Sequence, residues 1–159
     1  VEQTVGTDDF AAQPEEPARR ARESLGRQAL MKTLGAEMVH VGLGEVDRGL
    51  RHSEELCQQN GYLHAGAPAS IADSVNGYAA FTLSPAHSDV LTVEFKINLL
   101  APASDARFLA TGRVLRPGRT LSVCLAEVYG LAEGGRRLIA TMLSTVIVRP
   151  GHNGTKEAT

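Results

Sequence analysis

The chain has 159 residues, 43% of them hydrophobic and 21% charged, with a formal net charge of −2. This bounds one soluble domain with one core and gives no general electrostatic draw toward nucleic acid or anionic lipid. Cys57 and Cys124 stand far apart with no CxxC or Cys/His spacing, which argues against structural zinc and demands no oxidising compartment, and no apolar run approaches the ~20 residues of a membrane span.

Residues 1–15 are polar, acidic and interrupted by proline, and read as disordered; "VEQTVGTDDFAAQPEEPARR" lacks a basic-then-apolar leader pattern, so a cytoplasmic location is expected. Residues 16–149 read as a single domain and 150–159 as a flexible tail. From "EPARRARESLGRQAL" to Leu34 the pattern predicts one helix with Leu25, Ala29, Leu30 and Leu34 as its apolar stripe, stopped by Gly35. "AEMVHVGLGEVDRGLRH" predicts two strands around a turn at Gly44, and "SEELCQQNGY" a loop with one helical turn.

Ala65 to about Leu83 predicts a second helix, about 27 Å long, with Pro68 confined to its first turn. It is apolar on most sides and is expected to be buried. "VLTVEFKINLL" alternates Leu91, Val93, Phe95, Ile97 and Leu99 against Thr92, Glu94, Lys96 and Asn98. "RFLATGRVLR", "TLSVCLAEVYG" and "RLIATMLSTVIV" are three further strand-like runs, and the short connections between all four imply an antiparallel meander. The class is α+β: a buried helix with one sheet wrapped round it.

Asp73 is the one acid inside that helix. Helical spacing groups it with Ser70, Asn76, Gly77 and Ala80 in a small, polar strip, opposite Ile71, Val75, Tyr78 and Ala79. Either a functional carboxylate or a buried structural acid satisfied by Ser70 and Asn76 fits this position. Ahead of it, "LHAGAP" opens the helix, where unpaired N–H groups and the helix dipole could polarise a thioester carbonyl, with Ala65 and Gly66 small enough to admit it. His64 has no nucleophile or acid at a local spacing and reads as a positioning residue, while His40, His52, His87 and His152 show no metal-ligand pattern. Pro117-Gly118 predicts a tight turn with Arg116 and Arg119 at its shoulders, either solvated or holding phosphate.

Taken together, "QQNGYLHAG", "ASIAD", "LTVEFKINLLAPA" and "GRVLRPGRTLSVCLAEV" resemble the hot-dog-fold acyl-CoA thioesterases, and more narrowly the phenylacetic-acid-degradation (PaaI-type) branch, over about residues 36–148. The resemblance implies a hot-dog fold, homodimers whose sheets join and which often pair again into tetramers, and active sites between subunits. It places the family's helix acid on Asp73, its His-Gly-Gly entry on His64, Ala65 and Gly66 with the oxyanion donor at the Ala65 N–H, its preceding amide on Gln58 and its strand hydroxyl on Thr92. Ala65 departs from the family glycine but keeps the N–H. A related branch carries a hydroxyl one turn after the acid, where this chain has Gly77. Arg116 and Arg119 fall where the nucleotide end of coenzyme A is met. The implied activity is hydrolysis of an acyl-CoA, aryl or short to medium chain, with Asp73 as general base or nucleophile and no metal or prosthetic cofactor. A non-catalytic acyl-CoA-binding sensor is the alternative; a hydratase, which needs a His paired with an acid, ranks third.

Overall fold

The computed structural model describes residues 15–151. Helices α1 (Glu15–Leu25) and α2 (Ala29–Leu34) precede the hairpin β1 (Glu37–Gly42) and β2 (Glu45–Arg51), a single 3-10 turn at Glu54–Leu56, and the long helix α3 (Gly66–Thr82). Strands β3 (Ser88–Leu99), β4 (Arg107–Arg116), β5 (Leu121–Ala132) and β6 (Gly135–Pro150) follow. The six strands form one antiparallel sheet in the order β1-β2-β4-β5-β6-β3, curled round α3. This is the expected α+β hot-dog architecture.

The fit of helix to sheet follows from residue size. The inner face of the sheet is lined by small side chains, among them Ala110, Cys124, Ala126, Ala140 and Ser144, all fully buried. Gly112 takes this furthest: a Cβ there would lie 2.6 Å from the Val75 carbonyl carbon. With so few aromatics, the core closes by bringing backbones together, and α3 offers Ile71, Ala72, Val75 and Ala79 to that face at 0% exposure. Asn76 is equally buried and pins the helix to β6, donating to Ser144 Oγ at 2.7 Å and the Met142 carbonyl at 3.4 Å.

The structure departs from the sequence reading in four places. The first helix is two: α1 ends at Leu25, and Gly26, Arg27 and Gln28 break it before α2. The break turns the second half, so Ala18, Ala21, Leu25 and Met31 face the core while Leu30 is 56% exposed. The four later strands are not a simple meander, because β2 occupies the edge of β4 and β3 pairs with β6 at the far side of the sheet. The connection at Pro117-Gly118 is a loop of residues 117–120 rather than a two-residue turn. At the ends, Glu15 already belongs to α1 and Pro150 to β6, paired with Ser88; the rest of the expected disordered segment and of the tail, 1–14 and 152–159, lies outside the described residues.

Two arginines hold the N-terminal helices in place, one against α3 and one against β2. Arg20 of α1 caps the C-terminal end of α3, donating to the carbonyls of Pro85 (2.7 Å), Ser84 (2.8 Å) and Phe81 (3.2 Å) and stacking 4.4 Å from the Phe81 ring centre. Arg48 of β2 is buried beneath the break, its guanidinium reaching the carbonyls of Leu25 and Ala36 at 3.4 and 3.5 Å. Burial without a carboxylate partner pushes its pKa down.

Candidate active site

Asp73 sits halfway along α3 on the helix face left partly uncovered between the N-terminal helices and β3. That face runs through Gly66, Ala69, Ser70, Asp73 and Gly77, spaced three and four residues apart. The strip expected from spacing alone is corrected here: Asn76 and Ala80 turn inward to the sheet. Neither polar neighbour satisfies the acid, since Ser70 Oγ donates to the Gly66 carbonyl at 2.7 Å and Asn76 is committed to β6.

The partner of Asp73 comes from β3. Thr92 Oγ1 donates to Asp73 Oδ1 at 2.7 Å. A β-bulge makes this possible. Thr92 pairs with Val146 and Glu94 with Thr145, leaving Val93 as the extra residue. Simple alternation would set Thr92 on the face opposite Phe95, Ile97 and Leu99. Across the bulge all four share the face toward α3, opposite the buried Val146, Ser144, Met142 and Ala140 of β6, and Leu91 is turned outward beside Ile147. Asp73 Oδ2 accepts no hydrogen bond from the described residues.

The residues before α3 form a second constellation. Ala65 is the N-cap of α3, at φ −52° and ψ −26°. This helical backbone suits alanine as well as glycine, so the departure from the family pattern carries no strain. The Ala65 N–H makes no hydrogen bond among the described residues, whereas the Gly66 N–H is used up: it donates to His64 Nδ1 at 3.0 Å. His64 thus caps the helix entry, and its own N–H is anchored on the Leu56 carbonyl at 2.8 Å. Gln58 shapes the turn leading in. Its side-chain oxygen accepts from the Asn60 N–H and its backbone N–H donates to the Tyr62 carbonyl at 2.9 Å. Gln58 and Ala65 both line an apolar cleft of about 450 Å³ with Tyr62, Pro68, Leu99 and Leu100.

Within one chain the two constellations stay apart. Ala65 and Asp73 are eight residues apart along one helix, about 12 Å of axial rise, far beyond the ~3 Å reach of an oxyanion donor to the carbonyl under attack. Arg116 and Arg119 are exposed and do not approach Asp73. Arg119 lines a cleft of about 310 Å³ at the opposite end of α3, with Ala80, Leu83 and Ser84.

Three residues share a cleft with Asp73 that the sequence reading does not connect to it, Ser24, Gln28 and Tyr78, the last of which spacing sets on the opposite side of the helix. Gln28, in the break between α1 and α2, accepts a 2.8 Å hydrogen bond at Oε1 from the buried Ser74 hydroxyl. Tyr78 and Ser24 pair their hydroxyls at 2.9 Å. The available signal was Gly26 inside an otherwise helical run, which marks the break that brings Gln28 inward. Among the described residues no group of three or more His, Cys, Asp or Glu side chains is arranged to hold a metal ion, and no helix is long and apolar enough to cross a membrane.

Comparison with known proteins agrees with this architecture. A family model described as the thioesterase superfamily matches residues 60–134. A thioesterase family protein from Silicibacter pomeroyi is 43% identical, with a TM-score of 0.83 over 85% of this chain and 99% of its own. The 1,4-dihydroxy-2-naphthoyl-CoA hydrolase of Escherichia coli is 23% identical over 128 residues, covering 80% of this chain and 93% of that one. The Escherichia coli PaaI protein from the phenylacetic acid degradation operon shares the fold at 18% identity, with a TM-score of 0.74 over 85% of this chain and 94% of its own. Gln28 lies outside the stretch matched by the family model.

Proposed function

The chain belongs to the thioesterase superfamily, a family of thioester hydrolases, and on that premise we propose that it hydrolyses an acyl-CoA to the free acid and CoA, with Asp73 as the working carboxylate. The observation that carries this is the Thr92–Asp73 hydrogen bond: one carboxylate oxygen is pinned and the other left without a partner from the described residues. Oδ2 either takes the proton of an attacking water or itself attacks the carbonyl carbon. The Ala65 N–H at the positive end of α3 receives the oxyanion, and His64 and Gln58 hold the turn that presents it. No metal or prosthetic group enters this scheme.

One active site draws on two subunits in this reading. About 12 Å of helix separates each Asp73 from its own Ala65, and among the described residues β3 ends the sheet with an unpaired edge that exposes Leu91, Val93, Phe95 and Leu99 at about half of their surface. A second copy joined edge to edge along β3 covers these side chains and sets its Ala65 opposite Asp73. Two such dimers then pair. The CoA phosphates meet Arg116 and Arg119, whose guanidinium groups are open to solvent.

The relative that is a 1,4-dihydroxy-2-naphthoyl-CoA hydrolase favours an acyl-CoA over other thioesters. The test is thiol release by the purified protein across short-chain, medium-chain and aryl acyl-CoAs, with Asp73→Ala as control. Release by the wild type and its loss in the variant bears the proposal out. Near wild-type release by Asp73→Ala overturns the role of Asp73, and tight binding without release points instead to a non-catalytic acyl-CoA sensor.

A further inference from the structure

Asp73 stands between two clefts. One, of about 360 Å³, lies between α1, α3 and the start of β3, and includes Tyr78, Val90 and Thr92. The other, of about 270 Å³, lies between α2, α3 and Phe95. Only Asp73, its neighbour Ser74, and Gln28 line both. Gln28 is therefore placed where an acyl group must pass if its carbonyl is to meet Asp73.

The chemistry Gln28 presents there is fixed by its own hydrogen bond. A glutamine amide has an acceptor oxygen and an NH2 with two donor hydrogens. The Ser74 hydroxyl, buried against α3, donates to the oxygen at 2.8 Å. With its oxygen held by Ser74, the amide keeps an Nε2 that makes no hydrogen bond among the described residues, on a side chain that lines both clefts. The Ser74 bond ties the oxygen of Gln28 to α3, and its NH2 is left to serve a ligand. Packing of the N-terminal helices is already served by Arg20 and by the apolar side chains of Ala21 and Leu25.

We infer that Gln28 is a specificity-determining residue that touches the substrate, its NH2 donating to an oxygen carried by the acyl group close to the thioester carbon. The substrate class is an acyl-CoA with a hydroxyl or keto oxygen at the 2- or 3-position of a chain, or at the ring carbon next to an aryl thioester. A substrate lacking that oxygen leaves the amide desolvated and unpaired, which is the condition under which a polar site discriminates most strongly. This inference rests on the acyl-CoA hydrolase reading.

The test is kcat/KM of the full chain on matched pairs: butanoyl-CoA against 3-hydroxybutanoyl-CoA, and benzoyl-CoA against 2-hydroxybenzoyl-CoA. The wild type is expected to favour the oxygenated member of at least one pair by about tenfold or more. Gln28→Met brings that preference to within about threefold of unity, by slowing the oxygenated member, by raising kcat/KM of the unsubstituted one, or by both. Ser74→Ala, which keeps Gln28 but frees its amide, lowers the preference in the same direction. A wild type without the preference overturns the inference, as does a Gln28→Met variant that slows both members of a pair alike. A wild type that releases no thiol from any of the four overturns this inference, and one that also releases none from medium-chain acyl-CoAs overturns the hydrolase reading with it. Turnover of the four with the preference unmoved by Gln28→Met overturns the inference alone.

Discussion

Thr92 Oγ1 donates to Asp73 Oδ1 at 2.7 Å, tying the bulge of an edge strand to the middle of the buried helix. The bond leaves one rotamer of the carboxylate favoured. Thr92→Val, which keeps the shape and loses the hydroxyl, is expected to lower kcat about 10- to 100-fold, with Thr92→Ser restoring most of it. Asp73→Asn should cost more, about 100-fold or beyond, with an unchanged circular dichroism spectrum. Full activity in Thr92→Val would show the bond to be structural only.

Ala65 allows its N–H to be removed by substitution. Its φ of −52° lies within the range that proline adopts, and its N–H bonds to none of the described residues. Ala65→Pro is therefore expected to fold and melt near the wild type while kcat falls about 100-fold or more, the scale of losing an oxyanion donor. Ala65→Gly should change kcat by less than about threefold, since both residues keep the donor. A fully active Ala65→Pro enzyme would remove the Ala65 N–H from the mechanism.

The two variants together test whether the site is shared between subunits. Asp73→Asn and Ala65→Pro chains, each nearly inactive alone, are mixed, unfolded and refolded. If Asp73 of one subunit serves the Ala65 of the other, a mixed dimer carries one site with both residues intact. Random pairing then returns about a quarter of the wild-type activity. No recovery, with mixed dimers confirmed by mass, would place both residues in one chain's site.

Arg20 bonds to three carbonyls at the end of α3 and stacks on Phe81, yet it stands away from the Asp73–Thr92 pair. Arg20→Ala should cost about 2 kcal/mol of stability, seen as a lower urea midpoint, because it uncaps α3 and releases α1. Measured on the folded protein, kcat should stay within about threefold. A loss of kcat with the midpoint unmoved would contradict this division of labour.

Cys124 is fully buried on the inner face of β5, and burial pushes its thiol up from an ordinary 9.0 to about 11. The unfolded chain therefore releases this proton first as pH rises, so stability declines from about pH 9 until the folded thiol also ionises near pH 11. The melting temperature of the wild type should fall more steeply across that window than that of Cys124→Ala, and the two slopes should agree below it. Equal slopes throughout would show that the thiol is not buried.

Much of this was legible in local patterns. Helix α3 follows from a run of small apolar residues that tolerates Pro68 only in its first turn, and the strands follow from period-two alternation bounded by turn residues. Asp73 drew attention because a charge-poor helix kept one acid, and His64 read as a positioning residue because no partner stood near it. The family resemblance supplied Thr92 and Gln58, which no spacing rule connects to Asp73.

Local pattern thus fixes the strands and the position and chemical character of α3, since these arise from interactions among residues a few positions apart, while the first helix, read as one, is two. Tertiary structure decided the rest. Strand β3 lies beside β6 rather than β4, a choice made by pairing partners far away in the chain. One extra residue, Val93, reverses which face Thr92 presents, and alternation alone cannot reveal a slip of one. The break at Gly26 sets Gln28 against Ser74, 46 positions away, because the helices on either side of the break pack beside α3. A site assembled by non-local packing becomes visible only once the chain has closed on itself.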